Sequence, residues 1–192
     1  MKGKNTILNI KNHFKYKLKS HQLQDMEMGK IRLSNGLNAV LISDKNTPIT
    51  SAALSVDAGS WHDGRYEGTA HFLEHMLFLG TKKYPSESEY KRYISDANGS
   101  LNGYTANDHS LYYFQNVNPN KLVGALDRFS RFFYEPLFNE NCVEREMIGK
   151  IGLISAVDEE YKKNILSDGW RALHVRKELS NPDHPFGIFI LI

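Results

Sequence analysis

The stretch from Gly68 to Gly80 constrains this chain most. Its residues Phe72, Leu73, Met76, Leu77, Phe78 and Leu79 make a helix apolar almost all round, and such a helix is stable only when buried. Gly80 supplies the usual left-handed stop. The same stretch carries His71, Glu74 and His75, and ionisable groups taken out of water need partners. Ordinary polar residues on a half-exposed helix would not sit in so apolar a setting.

The residues around this helix predict the rest of one domain. Lys30 to Leu33 and Leu37 to Ile42 are β-prone runs joined through Ser34-Asn35-Gly36, a hairpin signal. A third strand, Ser51 to Asp57, alternates poorly and is expected inside the sheet. A second helix is expected from Ser86, with Ser86 and Glu89 as a capping box, to Asn98-Gly99. Strands follow over Ser100 to Ala106 and Ser110 to Val117. Asn118-Pro119 then caps a helix whose Leu122, Leu126, Phe129 and Phe133 form a core stripe at helical spacing. Pro136 ends it, and Asn139 opens a long helical region to about Leu179 containing Gly149 and Gly152. Strands and helices in this order predict an α+β fold, with helices packed on one face of a mostly antiparallel sheet.

Histidines four residues apart on a helix lie on one face, one turn apart. Two such ring nitrogens can converge on one ion at about 2.0–2.1 Å. Glu74 is one turn from His71 and can reach a water beside that ion without binding the ion itself. His71-Phe72-Leu73-Glu74-His75 thus reads as an inverted zinc-protease motif, the histidines holding Zn2+ and Glu74 serving as general base. A catalytic zinc needs a third protein ligand. The residues alone leave Glu144, Glu146, Asp158, Glu159 and Glu160 as candidates.

The run His71 to Pro85, ending Leu79-Gly80-Thr81-Lys82-Lys83-Tyr84-Pro85, resembles the active-site helix and following turn of the pitrilysin (insulinase) family of inverzincins. The similarity extends to Asn35-Gly36-Leu37, Leu41 to Asp44, Gly124 to Phe129, Pro136-Leu137-Phe138, Ala156 to Asn164 and Asn181 to Phe186. What the resemblance implies is concrete. His71, His75 and Glu160 would be the ligands of one zinc ion, Glu74 the general base, and Glu146 a supporting carboxylate. Asn102, Gly103, Tyr104 and Thr105 would form an edge strand that takes the substrate backbone by β-augmentation. The chain would be the N-terminal catalytic part of a larger peptidase acting on peptides, whose second half, absent here, would complete an enclosing chamber.

Two departures from the family pattern bear on activity. Glu146 and Glu160 stand fourteen residues apart. The family pattern has about seven, which on a continuous helix is a shift of roughly 10 Å. Either the region of Gly149 and Gly152 loops out or the site loses its third ligand. In addition, Gly187 to Ile192 no longer resembles the family. A family member that binds zinc, peptide or a partner subunit without turnover is therefore the competing expectation, and a processing-peptidase subunit ranks third.

Composition narrows the classes. Charged residues are 24% and hydrophobic residues 41% of the chain, the balance of a globular protein rather than a disordered or membrane one. Six lysines precede the first acid, Asp25. With no basic patch elsewhere, they read as a poorly ordered tail over residues 1–28 rather than a nucleic-acid site, followed by the peptidase domain over 29–186 and a tail over 187–192. The N-terminal lysine-rich segment before Asp25 has no arginine and little serine, so a mitochondrial presequence is a weak reading. Cys142 is the single cysteine, which makes the cytoplasm the default compartment.

Overall fold

A computed structural model describes residues 10–16, 26–143, 160 and 162–187. The chain divides into two compact units, Met1–Pro48 and Ile49–Ile192.

In the first unit β1 (Ile10–Tyr16), β2 (Met26–Leu33) and β3 (Asn38–Asp44) form an antiparallel sheet in that order. The β2–β3 hairpin turns where the Asn-Gly pair predicted. Gly36 takes φ +96°, a region that suits a residue without Cβ, and Asn35 Oδ1 accepts from Leu37 N–H at 3.1 Å. Strand β1 lies inside the segment expected as a poorly ordered tail, and Ile10 to Tyr16 pair there with β2.

The second unit carries β4 (Thr50–Val56), α1 (Thr69–Leu77), α2 (Glu89–Asp96), β5 (Ser100–Thr105), β6 (Ser110–Val117), α3 (Leu122–Arg131) and α4 (Asp168–Glu178). Its sheet is antiparallel in the order β4-β6-β5. The expected interior strand, β4, is an outer one here, and β6 is central. Burial alternates along β4, with Ala52 and Leu54 packed on the core and Ser51, Ala53 and Ser55 exposed. Ala53 disguises the period because a small apolar residue tolerates water.

Register decides what meets the helices. Ala52 and Leu101 flank Phe114, Leu54 and Gly103 flank Tyr112, and Thr105 pairs with Ser110. These residues share one face, and helices α1, α2 and α3 contact the strands that carry them. Phe114, Val117, Ile94 and Ala125 are fully enclosed, with Leu77, Tyr90, Phe129 and Phe132 beside them. Each large side chain so buried contributes about 1.5–3 kcal/mol. Edge-to-face ring pairs, Phe114 with Phe129 and Tyr90 with Phe132, fix their mutual orientation.

Three local expectations fail for stated reasons. The capping box is absent, because Glu89 is bound to Arg128 of α3 at 2.8 Å and α2 starts at Glu89 itself. That guanidinium is stacked between Tyr93 and Tyr84, 3.7 and 4.2 Å from the ring centroids. The stack fixes the rotation of α3 so that Ala125 faces the core and Leu126 is 40% exposed. The expected helix from Asn139 to Leu179 is interrupted at 165–167, with α4 restarting behind an extended Ser167. Gly149 and Gly152 lie outside the described residues. No helix among the described residues is long and apolar enough to cross a membrane.

Candidate metal centre

Helix α1 is nine residues long and buries His71, Glu74, Met76 and Leu77. The one-turn spacing brings His71 Nε2 and His75 Nε2 to 3.2 Å, their rings nearly perpendicular with centroids 4.8 Å apart. Glu160 Oε2 stands 3.7 Å from each of these nitrogens. The fourteen-residue separation from Glu146 therefore does not keep Glu160 from the histidines. Glu144, Glu146, Asp158 and Glu159, the other candidates, lie outside the described residues.

This donor set fits a zinc ion. Ligands at 2.0–2.2 Å from a tetrahedral centre lie about 3.3–3.6 Å from one another, close to the spacings found. Two imidazole nitrogens and one carboxylate oxygen are also the ligand types of hydrolytic zinc sites. His71 Nδ1 is buried and has no partner among the described residues. A metal-binding histidine ordinarily donates from its second nitrogen to a carboxylate or carbonyl, so this atom marks the place of a supporting acceptor.

Glu74 faces the sheet. Its Oε2 accepts from Thr105 Oγ1 at 2.6 Å, and a Cβ added at Gly103 would meet Glu74 Oε1 at 3.2 Å. Glycine at 103 lets β5 approach this carboxylate with bare backbone. Burial pushes the Glu74 carboxyl up, against the opposing hydrogen bond from Thr105 and the charge of His71. Burial and the same carboxylate push the Tyr112 phenol to about 12.

The four residues expected to receive substrate separate by face. Gly103 and Thr105 point toward α1, while Asn102 and Tyr104 are exposed on the opposite side. Tyr104 Oη lies 3.4 Å from His109 Nε2, whose Nδ1 meets Asp108 at 2.7 Å. Strand β5 pairs with β6 along one edge and is an outer strand of its sheet.

Sequence reasoning missed one role and one residue. Thr105 was expected as part of the substrate-receiving strand, and its hydroxyl instead donates to Glu74. Asp63 was not singled out, yet its carboxylate accepts from Gly68 N–H at 2.7 Å and from Ala70 N–H at 2.8 Å. The signal was faint, because Asp63 lies five residues before Gly68 and not at the capping position.

Thr105→Val removes the hydroxyl that satisfies Glu74 while keeping its shape. We expect a stability loss of about 1–3 kcal/mol in urea unfolding, the cost of a buried acceptor left without its donor. Thr105→Ser should restore most of it. A valine variant as stable as the parent would show that Glu74 finds another donor.

A family model described as insulinase (peptidase family M16) matches residues 38–183. The chain is 46% identical over 173 residues to the insulin-degrading enzyme of Bos taurus, covering 90% of this chain and 16% of that protein. It is 48% identical over 160 residues to the insulin-degrading enzyme of Homo sapiens, covering 83% of this chain and 15% of that protein. A crystal structure of pitrilysin superposes with a TM-score of 0.79 at 31% identity, covering 96% of this chain and 19% of that one. The chain thus spans about a sixth of the length of the curated relatives it matches. Its matched residues include the helix with His71, Glu74 and His75, and the chain belongs to the insulinase family, peptidase family M16.

Proposed function

We propose that this chain is the zinc-holding, catalytic part of a larger metalloendopeptidase that hydrolyses peptides. The observation that carries this reading is the convergence of His71, His75 and Glu160 beside a Glu74 held against β5 by Thr105. One zinc ion held by the first three would supply Lewis acidity for attack of water on a peptide carbonyl. Glu74 takes the proton of the attacking water and returns it to the leaving amine. Thr105 keeps the carboxylate from swinging away.

Glu146 is proposed as a supporting carboxylate of the site. The outer edge of β5, at Asn102, Gly103, Tyr104 and Thr105, is proposed to take the substrate as an added strand. Main-chain hydrogen bonds of that kind hold an extended peptide with little sequence preference. A strand added there would pass beside Gly103, where an added Cβ would meet Glu74 at 3.2 Å. The insulin-degrading enzymes it resembles are about six times longer, and a second half enclosing the site is the partner this reading requires.

In the full-length protein, Glu74→Gln should lower kcat/KM for an unstructured peptide by about 10²–10⁴-fold with zinc content unchanged; undiminished turnover sinks the assignment of the base. Glu160→Gln should weaken zinc in a chelator competition, and Glu146→Gln should do so by a smaller factor of about 10–100. Parent-like affinity in the first removes Glu160 from the ligand set, and in the second removes Glu146 from the support of the site. A peptide methylated on alternate backbone nitrogens should compete poorly with its unmethylated form, because the methyls abolish strand pairing. Equal competition counts against β5 as the substrate edge.

A further inference from the structure

We propose that Asp63 is a positioning residue of the metal centre, fixing the first turn of α1 and through it the place of His71. The inference rests on the zinc-site reading above. Helix α1 has only nine residues, and His71 is the third of them. The first N–H groups of any helix lack partners within it, and a serine, threonine, aspartate or asparagine at the cap usually supplies one. Here the capping position is Gly68, in the left-handed region at φ +81° and with no side-chain cap. Asp63 replaces that cap from outside the helix, one oxygen on Gly68 N–H and the other on Ala70 N–H. Ala70 directly precedes His71, so this pair of bonds ends one peptide short of a ligand. A carboxylate here is also favoured by the positive end of the helix dipole.

Asp63 is itself tied to the strand that holds Glu74. Its N–H donates to Ser60 O at 3.2 Å, Ser60 N–H to Ala106 O at 3.0 Å and Trp61 N–H to Asn107 O at 2.8 Å. Ser110 Oγ donates to Ala58 O at 2.8 Å. Gly59 permits this docking, because a Cβ there would overlap the carbonyl oxygen of Ala106. Residues 58–61 are thereby fastened to the β5–β6 turn, the hairpin that presents Gly103 and Thr105. Asp63 sets His71 in register with the same frame that sets Glu74.

An ordinary helix cap would change stability and leave the metal site of folded molecules as it was. A positioning residue changes the site itself. The test is the zinc affinity of the whole 192-residue chain, by competition with a chromophoric chelator, in the parent, Asp63→Asn and Asp63→Ala. Cobalt(II) is bound in parallel and its visible spectrum recorded, and thermal unfolding of the metal-free proteins sets a temperature at which each is folded. Asp63→Ala should bind zinc about 10–100-fold more weakly, the range for groups that orient metal ligands, with an altered cobalt band. Asp63→Asn, which retains one acceptor oxygen, should fall between and decides the matter if the alanine variant does not fold. Affinity within about twofold of the parent and an unchanged cobalt spectrum overturn the inference, whatever happens to the melting temperature. A parent chain that takes up no zinc overturns the underlying reading and the inference with it.

Discussion

Glu74 is 8% exposed, and a buried acid is tolerated only where donors and charges meet it. Much of the second unit is arranged around meeting it. Thr105 donates to one oxygen, Gly103 leaves room for the other, and His71 lies close enough to favour the charged form. Each of these groups needs α1 to lie against β5 at one height and one rotation. The spacing of His71, Glu74 and His75 places all three around that single line of contact.

The supports of α1 reach it from two directions. Its inner face is held by the sheet, where the register of β5 on β6 puts Gly103 and Thr105 on the helix side. Its first turn is held by Asp63, from a loop that is hydrogen-bonded to the β5–β6 turn. A nine-residue helix has too few internal hydrogen bonds to hold its own position. Tertiary contacts do that here, and the Asp63 carboxylate supplies the acceptor that a glycine at the capping position lacks.

The fold was legible where one strong local preference acts without a rival. The Asn35-Gly36 hairpin, the stop at Gly80, the β5–β6 hairpin and the Asn118-Pro119 start all appear where local chemistry puts them, since the alternatives clash or leave backbone groups unpaired. It was illegible where two local preferences compete for one side chain. Glu89 can cap α2 or pair with Arg128, and only the approach of α3 makes the ion pair the outcome. The same stacked arginine turns Leu126 out and Ala125 in, which no periodicity reveals. Strand β4 read as interior because Ala53 and Val56 are apolar, yet among the described residues it pairs with β6 alone, as an outer strand of its sheet.

For the site, the sequence by itself determined that His71 and His75 share a helix face with Glu74 one turn away, because helix geometry fixes neighbours three and four residues apart. It also determined family membership, through runs spread along most of the chain. Periodicity left five acids open and the family resemblance pointed to Glu160; the tertiary structure brings Glu160 to 3.7 Å from both histidines, since a residue eighty-five or more positions away is placed by packing and not by periodicity. Only the tertiary structure assigned Thr105 to Glu74 and Asp63 to the start of α1. Hydrogen bonds between separate elements depend on where those elements dock, and no local spacing records that.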